Sequence, residues 1–103
     1  MKLTGKQKRF LRARANRLRP IFEIGKNGPS AVWLTEIQRA LASRELIKVN
    51  VLQNSATSLA DIQTYIETNS DVVVVQTIGK TLILFKPSNH QNHQEISKKV
   101  FSI

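Results

Sequence analysis

Residues 20–52 read PIFEIGKNGPSAVWLTEIQRALASRELIKVNVL, and this stretch decides the fold. Ile21-Phe22-Glu23-Ile24 is a short β-branched and aromatic run behind Pro20, the composition of a strand. Gly25-Lys26-Asn27-Gly28 is a loop. Ser30 is suited to cap a helix, and Trp33, Leu34, Ile37, Ala40 and Leu41 share one face of a helix running to about Ala42. Leu46 to Leu52 is a second strand, in which Ile47, Val49 and Val51 alternate with Lys48 and Asn50, so one face is buried and the other more polar. A strand, a helix and a strand in this order favour parallel neighbours.

Upstream, Thr4 to Leu18 reads as a helix capped by Thr4 and stopped by Pro20. Leu3, Phe10, Leu11, Ala15 and Leu18 fall on one arc of its wheel. Arg14 projects into that arc, so either it snorkels or the helix rotates or ends early. Downstream, Asn54 to Thr57 is a loop. Ser58 with Asp61 three residues on resembles a capping box, and Leu59, Ile62 and Ile66 mark a third helix to about Thr68. Val72 to Ile78 is a third strand, Gly79-Lys80 a two-residue turn that starts with Gly, and Thr81 to Lys86 a fourth strand. Both strands of this hairpin are apolar on both faces, as interior strands are. Pro87 ends the sheet. Residues 88–103 are rich in Asn, Gln, Ser and His and read as a flexible polar tail, in which Val100, Phe101 and Ile103 could form a short docking segment. The expectation is an α/β domain over residues 1–87. It holds a mixed four-stranded sheet and three helices in the order α-β-α-β-α-β-β. Whether helices cover one face of the sheet or both stays open.

Charge points to the partner. Sixteen Lys and Arg oppose seven Asp and Glu, a net charge of +9. Eight of those cations, Lys2, Lys6, Lys8, Arg9, Arg12, Arg14, Arg17 and Arg19, precede the first carboxylate, Glu23. A run with no compensating sign fits a polyanion partner better than a solvated face. A membrane surface fits less well, because the apolar side of the first helix carries no Trp and is needed for the core. The loop adds a second signal. Two glycines around Lys26 and Asn27 let the backbone approach a ligand, and the following helix start attracts phosphate. Such a Gly-x-x-Gly loop can clamp a nucleic-acid backbone. No Gly-Lys-Ser/Thr follows, so it is not a nucleotide-binding P-loop.

Other chemistry finds little support. No cysteine is present, which excludes disulfides and thiolate metal sites and suits a reducing cytoplasm. No apolar run approaches the ~20 residues that span a bilayer. His90 and His93, with only Glu95 nearby, are a poor metal site. The carboxylates are scattered, so no catalytic residue, metal or cofactor is expected.

Four segments, Leu3-Thr4-Gly5-Lys6-Gln7-Lys8-Arg9-Phe10-Leu11-Arg12, Ile24-Gly25-Lys26-Asn27-Gly28, Arg44-Glu45-Leu46-Ile47-Lys48-Val49 and Ile78-Gly79-Lys80-Thr81-Leu82-Ile83-Leu84, resemble the YhbY family, the stand-alone bacterial form of the CRM (chloroplast RNA splicing and ribosome maturation) domain. The resemblance spans residues 2 to 87. It implies a fold similar to the C-terminal domain of translation initiation factor three and a role in RNA binding. It also implies association with precursors of the large ribosomal subunit. By position it assigns RNA contact to Gly25, Lys26, Asn27 and Gly28 and to the basic helix residues Lys6, Lys8, Arg9 and Arg12, to which the charge run adds Arg17. Arg14 stands where the family usually carries leucine, and Pro29 where an aliphatic residue is common. The expected protein is a monomeric, cytoplasmic ribosome assembly factor that binds ribosomal RNA and no membrane. The rival readings are a protein-interaction module facing acidic ribosomal proteins, a DNA-binding protein and, last, an enzyme.

Overall fold

A computed structural model describes residues 1–53 and 55–103; Asn54, placed by the sequence in the 54–57 loop, lies outside the described residues. The elements are α1 (Gly5–Ala15), β1 (Pro20–Ile24), α2 (Ala31–Arg44), β2 (Leu46–Val51), α3 (Leu59–Asn69), β3 (Val73–Ile78), β4 (Thr81–Phe85), a 3-10 turn (Gln91–His93) and α4 (Glu95–Val100). The caps are those that the sequence signals. Thr4 Oγ1 accepts from the Gln7 N–H and Gln7 Oε1 from the Thr4 N–H, a reciprocal box. Ser30 and Ser58 accept from the N–H groups of Trp33 and Asp61. α1 stops at Ala15 rather than Leu18, and α2 continues to Arg44.

The sheet order is β1-β2-β4-β3. β1 and β2 pair in parallel, as the strand–helix–strand unit requires, and β4 lies antiparallel to both β2 and β3. β3 is therefore an edge strand, against the expectation that both hairpin strands are interior. Its valines misled because both faces of its first half are buried: alternation sends Val74 into one core and Val73 and Val75 into the other. The strand bulges between Val74 and Gln76, with Val75 the extra residue, so Val75 and Gln76 lie on the side of Ile83, and Thr77 and Ile78 beyond are exposed. At the hairpin tip Gly79 has φ 57°, the sign that a turn beginning with Gly demands.

Helices lie on both faces, so the architecture has three layers. On one face α2 and α3 bury Leu34, Ile37, Leu41, Ile62 and Ile66 against Ile47, Val49, Leu82 and Leu84. On the other, α1 and α4 set Leu11, Ala15 and Val100 against Leu46, Val75, Ile83 and Phe85. β4 supplies both cores by alternation, which explains why it is apolar throughout.

The region after Pro87 departs furthest from expectation. In place of a flexible tail, it carries the 3-10 turn and α4, with Ser88, Ser97 and Val100 buried. The device that holds it is Glu45. This residue caps α2 in the left-handed conformation, φ 63°, and is 1 % exposed. Its Oε2 accepts from the Ser88 N–H at 2.7 Å, and its Oε1 from the N–H groups of Ile96 and Ser97 at 3.1 and 3.0 Å. A buried carboxylate is thus satisfied by three backbone donors, and two of them belong to the first turn of α4.

The same segment accounts for Arg14. Its guanidinium lies 6.0 Å from the centre of the Phe10 ring and its Nη2 is 3.5 Å from Glu95 Oε1. Hydrogen bonding and charge from Lys99, and then from Arg14, hold the Glu95 carboxyl below its ordinary value. A lowered carboxylate favours the folded state above the unfolded-state value, and that contribution disappears as pH falls through the lowered one. The amide protection factors of α4, which divide out the acid slowing of intrinsic exchange, should accordingly fall as pH drops below the ordinary carboxylate range in the native protein, and much less so in Glu95→Gln; equal acid sensitivity in the two would show that the pair does not anchor the helix.

Candidate nucleic-acid interface

The Gly25–Gly28 loop begins where β1 ends. The Gly28 N–H donates to the Gly25 carbonyl at 3.1 Å, closing a tight turn that leaves Lys26 and Asn27 exposed at its tip. The two glycines are not equivalent. Gly28 has φ 70°, and a Cβ there would collide with Thr57 Oγ1. Gly25 has an ordinary φ, and a Cβ there would only touch Leu52 Cδ1 at 3.8 Å. Gly28 is therefore required by both conformation and space, and Gly25 by neither. Pro29 and the Ser30 cap then launch α2. Because Ser30 Oγ takes the Trp33 N–H, the N–H groups ahead of Trp33 have no intrahelical partner and carry the positive end of the helix dipole. Trp33 is half-buried, its Nε1–H donating to the Glu23 carbonyl at 3.2 Å. That bond ties the first turn of α2 to β1.

Neighbouring loops gather at the same end of the sheet. The Leu52 N–H donates to the Ile24 carbonyl at 2.9 Å, and the Val51 N–H to the Lys80 carbonyl at 2.7 Å. Lys26 and Lys80 are thus exposed on adjacent loop tips. Between the 55–59 segment and the Gly79-Lys80 turn lies an open hollow of about 360 Å³, floored by Val51, Leu52 and Leu59.

The cations of α1 sit elsewhere, on the sheet face opposite α2. Arg14 and Leu18 share a hollow with Leu46, at the start of β2, and Met1 shares one with Val72 and Val73, at the start of β3. The helix therefore crosses the sheet near the end remote from the loop. Its orientation follows from its contacts. Leu11 and Ala15 face the sheet. Gln7 Nε2 donates to the Val100 carbonyl, and Arg14 meets Glu95, so that flank faces α4. Lys8 and Arg12 consequently lie on the other flank, half-buried and turned toward the loop end. Lys6, Arg9 and Arg17 are exposed on the outer side. The residues singled out by the sequence thus form two groups, the loop and the helix, separated by the length of the strands.

Sequence reasoning missed Glu45, which positions α4 and with it the Arg14 flank of α1. The available signal was an acidic residue at a helix C-terminus where glycine is the usual choice. His90, just before the 3-10 turn, and His93 within it lie edge-to-face, ring centres 6.1 Å apart. Among the described residues no helix is long and apolar enough to cross a membrane.

The CRS1/YhbY (CRM) domain matches residues 3–86. A Bacillus subtilis protein named "Probable RNA-binding protein YqeI" is 46 % identical over 94 residues, covering 91 % of this chain and 98 % of the relative. A Haemophilus influenzae protein named "RNA-binding protein" is 38 % identical over 92 residues, covering 89 % of this chain and 93 % of the relative. The solution structure of a Staphylococcus aureus protein, described as hypothetical with a proposed RNA-binding role, superposes with a TM-score of 0.68 at 40 % identity, covering 91 % of this chain and 98 % of that one.

Proposed function

The chain belongs to the CRS1/YhbY (CRM) domain family, and from that premise we propose that it is a non-enzymatic RNA-binding protein that assists assembly of the large ribosomal subunit. The observation that carries the reading is the Gly25–Gly28 turn. It is held by its own hydrogen bond and by its seat against Thr57, with Lys26 and Asn27 presented ahead of the α2 N-terminus. A phosphate seated there meets a full charge, backbone N–H donors and a helix dipole together. Contacts of this kind position an RNA backbone without reading bases, so affinity should depend on shape and strandedness more than on sequence. The cations of α1 supply long-range attraction. The names of the relatives support RNA as the partner. The net charge of +9 opposes self-association, which supports a monomer.

The test is a titration of structured ribosomal RNA fragments, duplex DNA and an acidic polypeptide at several salt concentrations. RNA should bind most tightly. If about five phosphates are neutralised, log K should fall with log salt with a slope of roughly −3.5, from ~0.7 per phosphate on single strands. Replacing Lys26 and Asn27 together by Ala should weaken binding about tenfold, the loss of one charge-assisted contact of ~1.5 kcal/mol. Equal affinity for duplex DNA would sink the RNA reading, and an unchanged double variant would make the loop only a turn.

A further inference from the structure

Half of one sheet face carries no helix among the described residues. α2 and α3 cover the first face. On the second, α1 and α4 lie over the starts of β2 and β3, which leaves the half nearer the Gly25–Gly28 loop open. Register places the side chains there. Lys48 pairs with Ile83, Asn50 with Thr81 and Gln76 with Ile83, so Lys48, Asn50, Gln76 and Thr81 share the face of Ile83. All four are half-exposed, although β2 and β4 are central strands whose side chains a covering layer would bury. The edges of the area are exposed too, Ile21 at 44 % and Ile78 at 53 %.

We propose that this open half-sheet is a second RNA-contact surface, which takes a single-stranded segment running between the α1 flank and the loop end; the proposal rests on the reading of the protein as RNA-binding. Charge selects the occupant. Lys8 and Arg12 wall the area on the α1 side, Lys48 lies in its floor, and Lys26 and Lys80 stand at the far rim. Glu23, opposite Asn50 on β1, is the carboxylate on this surface. A second copy of the chain would bring another +9 against it, whereas a polyanion is attracted. The floor chemistry agrees. The amides of Asn50 and Gln76 and the hydroxyl of Thr81 can both donate and accept, which suits phosphate oxygens and ribose 2′-hydroxyls. An apolar partner would leave these groups unsatisfied. Among the described residues no aromatic ring lies in the floor, since Phe22 packs into the other core, so the contact is to the backbone rather than by base stacking. Glu23 repels phosphate at the β1 edge, so the strand crosses β2, β4 and β3. The surface joins the two groups of cations that the fold separates.

Binding of a short, unstructured oligouridine, followed by fluorescence anisotropy across a salt series, tests this with variants of opposite sign. Lys48→Gln should lower affinity about fivefold at ~0.1 M salt and make the salt slope shallower by ~0.7, the effect of one lost phosphate contact. Glu23→Gln should raise affinity severalfold, a gain that misfolding does not produce. In the native protein, the amide resonances of Asn50, Gln76 and Thr81 should shift on RNA addition. If both variants bind like the native protein and those resonances stay still while the Lys26, Asn27 double variant is weakened, the open sheet is not a contact and the RNA-binding reading stands. If the native protein binds no RNA, both fall. Polyglutamate binding as tightly as oligouridine, with the same dependence on Lys48, overturns the choice of RNA.

Discussion

Replacing Glu45 by alanine should cost about 3–5 kcal/mol of unfolding free energy, as much as truncating a buried core side chain. The carboxylate accepts from the N–H groups of Ser88, Ile96 and Ser97. Each donor left without a partner in a buried site costs ~1–3 kcal/mol. The loss is reduced where Ile96 and Ser97, at a helix start, find water as α4 loosens. The side chain also offsets a backbone penalty, because a non-glycine residue at positive φ costs roughly 1–2 kcal/mol. Glycine at 45 relieves that strain and still abandons the three donors, so Glu45→Gly should be destabilised nearly as much. Glutamine keeps the shape but turns one acceptor into a donor, which then faces an N–H. In urea the midpoint of Glu45→Ala should fall by about 2 M for a slope of ~2 kcal/mol/M. Amide exchange should show α4 opening first. The rest of the second core follows, because Val100 packs with Leu3, Leu11 and Phe85. A midpoint within ~0.3 M of the native one would mean that contacts other than those of Glu45 hold α4.

Gly28→Ala should abolish most RNA binding, while Gly25→Ala should leave it close to native. A Cβ at Gly28 meets Thr57 Oγ1 and adopts φ 70°, a strain of roughly 1–2 kcal/mol before the collision is counted. The loop relieves both by moving away from the 55–58 segment. That movement withdraws Lys26 and Asn27 from the α2 N-terminus, and a displacement of about 1 Å is enough to ruin a multidentate phosphate site. Stability should fall by about 2 kcal/mol and RNA affinity by more than tenfold. The Gly28→Ala, Thr57→Ala double variant removes the collision but not the φ strain. It should recover part of both losses, a coupling that a double-mutant cycle reads directly. Gly25→Ala meets only Leu52 Cδ1 at contact distance. If Gly25→Ala damages binding as much as Gly28→Ala, the asymmetry argued from backbone and space is wrong, and the ligand itself must approach Gly25.

The fold and the loop were unequally legible. Thr4, Ser30 and Ser58 announced the helix starts because a cap acts over three residues, and the alternation from Ile47 to Val51 announced a strand because side chains on a pleat alternate strictly. The Gly25–Gly28 loop and its position before α2 followed from the same short-range signals. Val72 to Val75, by contrast, read as interior strand. A run of four valines does not say whether a neighbour lies on one side or two, and here a core on each face of the sheet accounts for the burial. Arg14 looked like an error on the apolar arc of α1 until Glu95 arrived from α4.

By itself the sequence determined what depends on residues a few positions apart: the seven main elements, the capping side chains, the glycine-bounded loop and the concentration of cations before Glu23. Only the tertiary structure decided the strand order, the edge position of β3, the helical cover on both faces and the open half-sheet between two basic groups. It also decided the fate of residues 88–103. Nothing in a polar stretch of Asn, Gln, Ser and His predicts order, because the group that orders it is elsewhere. Glu45 reaches donors 43 to 52 residues away in the chain. A contact over that separation leaves no periodicity to read, and it exists only when the folded sheet brings the end of α2 and the start of α4 together.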